Sequence, residues 1–274
     1  MGWRIRRWRR RGKWWRLRLT RAPAHTSPAR IVITGAARRV GRATALAFAA
    51  RGCALVLTYR NSREACLETA EEARRCGAPE VDTCALDFHA ADSLSRFVTA
   101  ALRTGPVDGV VHNASSFASA PFGSISETSA LAQYQGDALG PLLLSQALAP
   151  SLRTAMARGT MIGGAGIVLF GDAHADSVPR RGYTAYLMAK AAAHALVRQL
   201  AVELAPEIRV NGIAPGVIAW PDDMPADARS AYLERVPLKR AGTPEEAAAL
   251  AVFLLLDAHY STGQIVQLDG GRNG

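Results

Sequence analysis

Cysteine, histidine and long apolar runs are scarce in this chain, and each scarcity removes a class of function. The four cysteines, Cys53, Cys66, Cys76 and Cys84, show no CxxC spacing and fall in segments of strand or helix character. That argues against a disulfide framework or a thiol redox pair, and for idle thiols in a reducing cytoplasm. The six histidines form no ligand-spaced cluster, so no metal site is expected. The longest apolar run, Ala247–Leu256, is ten residues. A membrane-spanning helix needs about 20.

Acid is missing from the first part of the chain. Residues 1–30 hold eleven of the 33 Lys/Arg residues, none of the 23 Asp/Glu and four of the five tryptophans. The formal net charge of +10 belongs to that segment, because beyond it 22 basic residues meet 23 acidic ones. The body therefore has no charge excess that would select nucleic acid. Residues 1–29 are read as a disordered or non-native basic tail. Two other readings stay open: contact with an anionic membrane or nucleic acid, through Arg for phosphate and Trp for interface or base, and a transit peptide, for which the tail is poor in Ser. The tail lacks the apolar core of a signal peptide, so a cytoplasmic location is expected.

From residue 30 the pattern alternates. Short apolar, often β-branched runs predict strands over 30–34, 53–58, 80–85, 107–111, 164–170, 208–213 and 264–268. Ala/Leu/Arg/Glu-rich stretches predict helices over 40–51, 62–76, 90–103, 131–157, 184–205 and 244–256. Strands separated by helices imply an α/β fold, a single Rossmann-type doubly wound domain over residues 30–274 with a seven-stranded parallel sheet. The Gly/Pro/Ser/Asp-rich stretches 114–130 and 214–243 both follow strand ends, where such sheets bind ligands.

The first turn reads TGAARRVG. Gly35 permits a tight turn, Gly41 lets the next helix pack closely, and the helix N-terminus offers free N–H groups to a phosphate. Arg39 stands where a glycine would normally let the backbone approach a pyrophosphate. The second strand ends in Tyr59-Arg60-Asn61-Ser62 with no carboxylate to accept from a ribose 2′-OH. Arg60 and Ser62, helped by Arg38, suit a 2′-phosphate and so predict NADP rather than NAD. Asp87 and Phe88 fall where an adenine pocket belongs. Tyr186 and Lys190 in GYTAYLMAK are four apart and share one helix face. An ammonium beside a phenol stabilises phenolate and brings its pKa toward a useful range.

With these motifs in this order, the chain resembles the short-chain dehydrogenase/reductases across residues 30–274. TGAARRVG, HNAS, YLMAK, RVNGIAPG and STGQIVQLDGG carry the resemblance. It implies that Asn113 packs beside the adenosine half of NADPH, and that Pro215, Gly216 and Val217 begin the loop around its nicotinamide. A narrower resemblance is to the pteridine reductases, through TGAARRVG, HNASSF, an Asp-Ala after the fifth strand, GYTAYLMAK and WPDDMP. It implies that Arg39 faces both substrate and cofactor phosphate, with Val40, Ala114 and Ser115 alongside the cofactor. Phe117 would stack a pterin ring, Ser115 would bond it, and Tyr183 would border it. Asp172 replaces the usual serine and would feed a proton to Tyr186, with Asp176 as its rival. Asp137 stands where many relatives carry an asparagine near the lysine, and either pairs with Lys190 or holds a water. A homotetramer is also implied, with its dimer faces on the helices predicted over 131–157 and 184–205. The function expected is NADPH-dependent reduction of a pterin. The alternatives are a 3-oxoacyl-type carbonyl reductase and a catalytically weak NADP-binding sensor.

Overall fold

The structure, a computed structural model, describes residues 28–176, 179–220 and 224–273. The readings of the basic tail lie outside the described residues, as do Pro221, Asp222 and Asp223 of the WPDDMP stretch. Seven strands form one parallel sheet: β1 (Arg30–Ile33), β2 (Ala54–Tyr59), β3 (Val81–Ala85), β4 (Gly109–His112), β5 (Ala165–Phe170), β6 (Ile208–Pro215) and β7 (Ile265–Leu268). Their order is β3-β2-β1-β4-β5-β6-β7. Strands β1, β4 and β5 are buried from end to end, which explains their nearly unbroken apolar character.

Among the described residues there are eight α-helices: α1 (Arg39–Ala50), α2 (Arg63–Arg75), α3 (Ser93–Thr104), α4 (Glu127–Tyr134), α5 (Gly140–Leu152), α6 (Thr184–Glu203), α7 (Ala226–Glu234) and α8 (Pro244–Val252). Local chemistry sets several ends. Thr243 caps α8 in a reciprocal box with Glu246, and Pro244 takes the first turn, where its missing N–H costs nothing. Phe48, Phe97, Leu144, Leu148 and Leu152 are fully buried between helices and sheet.

Two predicted elements are corrected. The helix expected over 131–157 begins earlier, at a Ser126–Ser129 capping box, and is divided by a π-helical turn at Gln135–Leu139. Residues 153–159 turn rather than continue it. The Gly/Pro/Ser/Asp-rich stretch 214–243, for which no helix was predicted, contains α7, which buries none of its residues. No helix among the described residues is long and apolar enough to cross a membrane. The sheet order reverses between β1 and β4, and the crevice at their C-terminal ends is where a ligand fits such a sheet.

Candidate active site

Two adjoining cavities open at that crevice. The first, 360 Å³, runs from Gly35, Arg38 and Arg39 past Tyr59, Arg60, Asn61 and Ser62 to Asp87, Phe88, Asn113, Ala114 and Ser115. All of these are residues the sequence assigned to the cofactor. The turn is built for close approach. Gly35 adopts φ +66°, and a Cβ on it would lie 3.0 Å from Ala114 Cα. A Cβ on Gly41 would lie 2.2 Å from the Gly35 carbonyl oxygen, so only glycine lets α1 enter here. Asn113 Nδ2 donates to the carbonyls of Thr34 and Gly35 at 3.0 Å, and Thr34 Oγ1 accepts the N–H groups of Asn113 and Ala114. These bonds clamp the β1 turn to the β4 turn. The cradle, the helix N-terminus behind it and the arginines along it fit a dinucleotide.

The second cavity, 640 Å³, shares Arg39 and Ser115 with the first and adds Val40, Phe117, Asp172, Tyr186, Pro215, Gly216 and Val217. At its floor Tyr186 Oη donates to Asp172 Oδ2 at 2.8 Å. The other carboxylate oxygen accepts the His174 backbone N–H at 2.8 Å and lies 3.1 Å from His174 Nδ1. Burial alone would raise the Asp172 pKa. The hydrogen bonds from His174, side chain and backbone, and from Tyr186 outweigh it and hold the carboxyl below its ordinary value. Asp176 lies elsewhere: it accepts from His194 Nδ1 at 2.7 Å and from Arg198 at 3.2 Å. Of the two acids, it is Asp172 that bonds Tyr186, while Asp176 bonds His194 and Arg198. His194 supports the arrangement from below, its Nε2 taking the Asp172 backbone N–H at 3.4 Å.

The Tyr186–Lys190 pair departs from expectation. Lys190 Nζ donates to the Phe170 carbonyl at 3.0 Å and lies 3.1 Å from Asp137 Oδ1, out of line for a hydrogen bond. Both side chains are buried. Gln133 holds the other Asp137 oxygen and also donates to the Ser116 carbonyl at 2.6 Å. The ammonium is 5.7 Å from the Tyr186 ring centre. It does not bring the phenol's pKa down. Burial first, then the Asp172 carboxylate, then Asp137 push Tyr186 well above its ordinary value, while Arg180 opposes them. Tyr186 is therefore a neutral phenol, able to give a proton. Lys190 is not among the residues that wall either cavity.

Phe117 stacks on Tyr183 with ring centres 4.7 Å apart and meets Tyr186 edge-on at 5.1 Å. Sequence reasoning missed several neighbours. The Arg180 guanidinium lies 4.2 Å from the Tyr183 ring centre. Trp220 meets Tyr232 edge-on at 5.5 Å, and Tyr232 lies 6.2 Å from the His174 ring. Asn273 Nδ2 donates to the Ala173 carbonyl at 2.7 Å, tying the C-terminal segment to the site loop. Trp220 opens the WPDDMP stretch, although no site role was read from it; the others belong to no motif, and His174 left a trace only as a histidine two residues after the aspartate. Among the described residues no cluster of His, Cys, Asp and Glu could hold a metal ion.

The family model described as enoyl-(acyl carrier protein) reductase matches residues 35–273. The chain belongs to the short-chain dehydrogenase/reductase family. Pteridine reductase 1 of Leishmania tarentolae is 34% identical over 283 residues, covering 90% of this chain and 96% of that protein. Dihydromonapterin reductase of an Enterobacter species is 33% identical over 88% of this chain and 95% of its own length. A 3-oxoacyl-(acyl-carrier-protein) reductase of Thermotoga maritima is 32% identical over 88% and 96%. Among solved structures, the acetoin dehydrogenase of Enterobacter cloacae superposes with a TM-score of 0.79 at 28% identity, covering 90% of this chain and 96% of that one. The chain is thus a short-chain oxidoreductase of the kind that uses NAD(P)H.

Proposed function

We propose that residues 30–274 form an NADPH-dependent reductase acting on a pterin ring, whether a dihydropterin, dihydrofolate or a biopterin-like compound. The observation that carries this reading is the Tyr186–Asp172 hydrogen bond at the foot of an aromatic wall. A carbonyl reductase needs one phenol at an oxygen. A carboxylate bonded to that phenol, below the flat face of Phe117, suits a ring nitrogen in a planar heterocycle. The relatives named for pteridine and dihydromonapterin reduction support the same reading.

NADPH, when bound, supplies a hydride to the ring carbon. Gly35 and the α1 N-terminus would hold its pyrophosphate, Asp87 and Phe88 its adenine, and Pro215–Val217 its nicotinamide. Arg38 and Arg60, with no carboxylate at the β2 tip, favour the 2′-phosphate. Arg39, Ser115, Phe117 and Tyr183 orient the pterin, so much of the rate enhancement comes from alignment. Tyr186 gives its proton to the ring nitrogen. Exposed Leu131, Tyr134, Leu143 and Met188 on α4, α5 and α6 suit the subunit faces of a homotetramer.

The test is loss of NADPH absorbance with dihydrobiopterin, dihydrofolate and an acetoacetyl thioester, each offered to wild type and to Tyr186→Phe. Pterin turnover that falls at least ~100-fold in the variant is expected. Turnover with the thioester alone would replace this reading by the carbonyl-reductase one, which the Thermotoga relative favours. NADPH binding without any turnover would favour the sensor, for which the Lys190–Asp137 pair is the structural reason.

A further inference from the structure

We infer that His174 is the proton source for Tyr186, reached through Asp172. The inference rests on the proton-donating role given to Tyr186 above. It starts from a difficulty in the site. Once Tyr186 gives up its proton, a phenolate is left 2.8 Å from a carboxylate inside the protein. The cation that would normally offset this charge is occupied, since Lys190 faces Asp137 and the Phe170 carbonyl. Asp172 has no proton to offer, because the bonds it accepts keep it ionised near neutral pH.

His174 supplies what is missing. Its Nδ1 lies 3.1 Å from Asp172 Oδ1, and its backbone N–H fixes the same oxygen at 2.8 Å. His174 is buried and is among the residues lining the 640 Å³ cavity, which is the route by which solvent would reach its ring. The titratable groups facing it are Asp172 and Tyr232 of α7; Arg272, Asp269 and Arg180 act on Tyr232 in turn, and His194 lies beneath Asp172.

The step balances. The Tyr186 proton passes to the substrate nitrogen while the Nδ1 proton of imidazolium passes to Asp172 Oδ1. The carboxylic acid so formed rotates and returns that proton to the Tyr186 oxygen. His174, now neutral, takes a proton from cavity water. One solvent proton is consumed per hydride transferred, and two bare negative charges never face each other. His174 is a positioning and proton-supplying residue and does not itself touch the substrate.

Two measurements test this. The first is the pH profile of kcat with whichever substrate the chain turns over, pterin or not. Wild type should lose activity as pH rises from 6, because the relay starts from imidazolium. His174→Asn keeps a donor toward Asp172 but cannot ionise. It should keep KM within about twofold, lose that limb and run about tenfold slower at pH 6. An unchanged limb and rate would overturn the inference. The second needs no substrate: the ring nitrogen signals of His174 are compared by NMR in wild type and Asp172→Asn. A changed Nδ1 signal in the variant is expected, because that nitrogen faces the carboxylate at 3.1 Å. An unmoved signal would overturn the coupling. Because the NMR arm uses no pterin, failure of the pterin reading and failure of the relay give different results.

Discussion

Arg39 opens α1 at φ +48°, a left-handed backbone that glycine adopts freely and an arginine does not. The conformation costs a residue with a Cβ about 1 kcal/mol. The turn has thus kept the shape of a glycine loop while placing a guanidinium between the two cavities, which both include Arg39 among their walls. The substitution Arg39→Gly separates the two effects. Relief of the left-handed strain and the greater chain entropy of glycine are each about 1 kcal/mol and oppose one another. The melting temperature should therefore stay nearly constant. Loss of the guanidinium should raise KM for the nicotinamide cofactor and for the substrate together, about tenfold for one charge-assisted contact. A melt and two KM determinations check it. A large fall in stability would show that Arg39 serves the fold rather than the ligands.

At the scale of elements, the π-helical turn at Gln135–Leu139 delivers Asp137 to the buried side of the helix pair, opposite Lys190. Asp137→Asn keeps the shape and removes the charge. Removing one partner of a buried pair costs about 3 kcal/mol. The Tyr186 pKa should fall, since Asp137 is one of the groups raising it. A stronger acid protonates the substrate faster, so kcat should rise severalfold, on the order of 3–10. Urea unfolding and kcat on the same preparation give both numbers. A fall in kcat would mean that the aspartate supports Lys190 in catalysis rather than restraining it. The same turn marks where sequence reading ends. Buried parallel strands announce themselves as short β-branched runs, and all seven lie within two residues of where ILE-, VAL- and LEU-rich stretches put them. A π turn adds a residue without changing composition, so periodicity merged α4 and α5 into one helix. Helix α7, ADARSAYLE, has no buried face and so no apolar stripe to detect. Tyr186, Asp172, Phe117 and the turn residues Gly35 to Gly41 could be singled out because each sits in a short contiguous stretch. His174, Arg180 and Tyr232 reach the cavity through loop geometry and contacts between distant elements, which no local spacing encodes.

At the scale of the whole molecule, acid should loosen the fold before its carboxylates are protonated. His112 ends β4 fully buried, with Nε2 2.9 Å from Ser145 Oγ on α5 and no hydrogen-bond partner for Nδ1 among the described residues. Burial lowers its pKa to about 3. His194, also buried, is shifted the same way. In the unfolded chain a histidine titrates near ~6.5. Below that pH the unfolded state binds a proton that folded His112 refuses, so its contribution is intact above the unfolded pKa and declines steadily as pH falls toward 3. Between pH 7 and 5 the decline is about 2 kcal/mol from this residue. The lowered carboxylates Asp172, Asp176 and Asp257 weaken the fold in the same direction, but only nearer their own ordinary range. Urea unfolding at pH 7 and pH 5 isolates the histidine share. Wild type should lose at least about 2 kcal/mol over that interval. In His112→Gln the loss should shrink by about that amount, whatever the variant's stability at pH 7, because glutamine has no proton to gain on unfolding. An identical pH dependence in both proteins would mean that folded His112 takes up its proton without cost, which the closed, apolar setting between β4 and α5 does not allow.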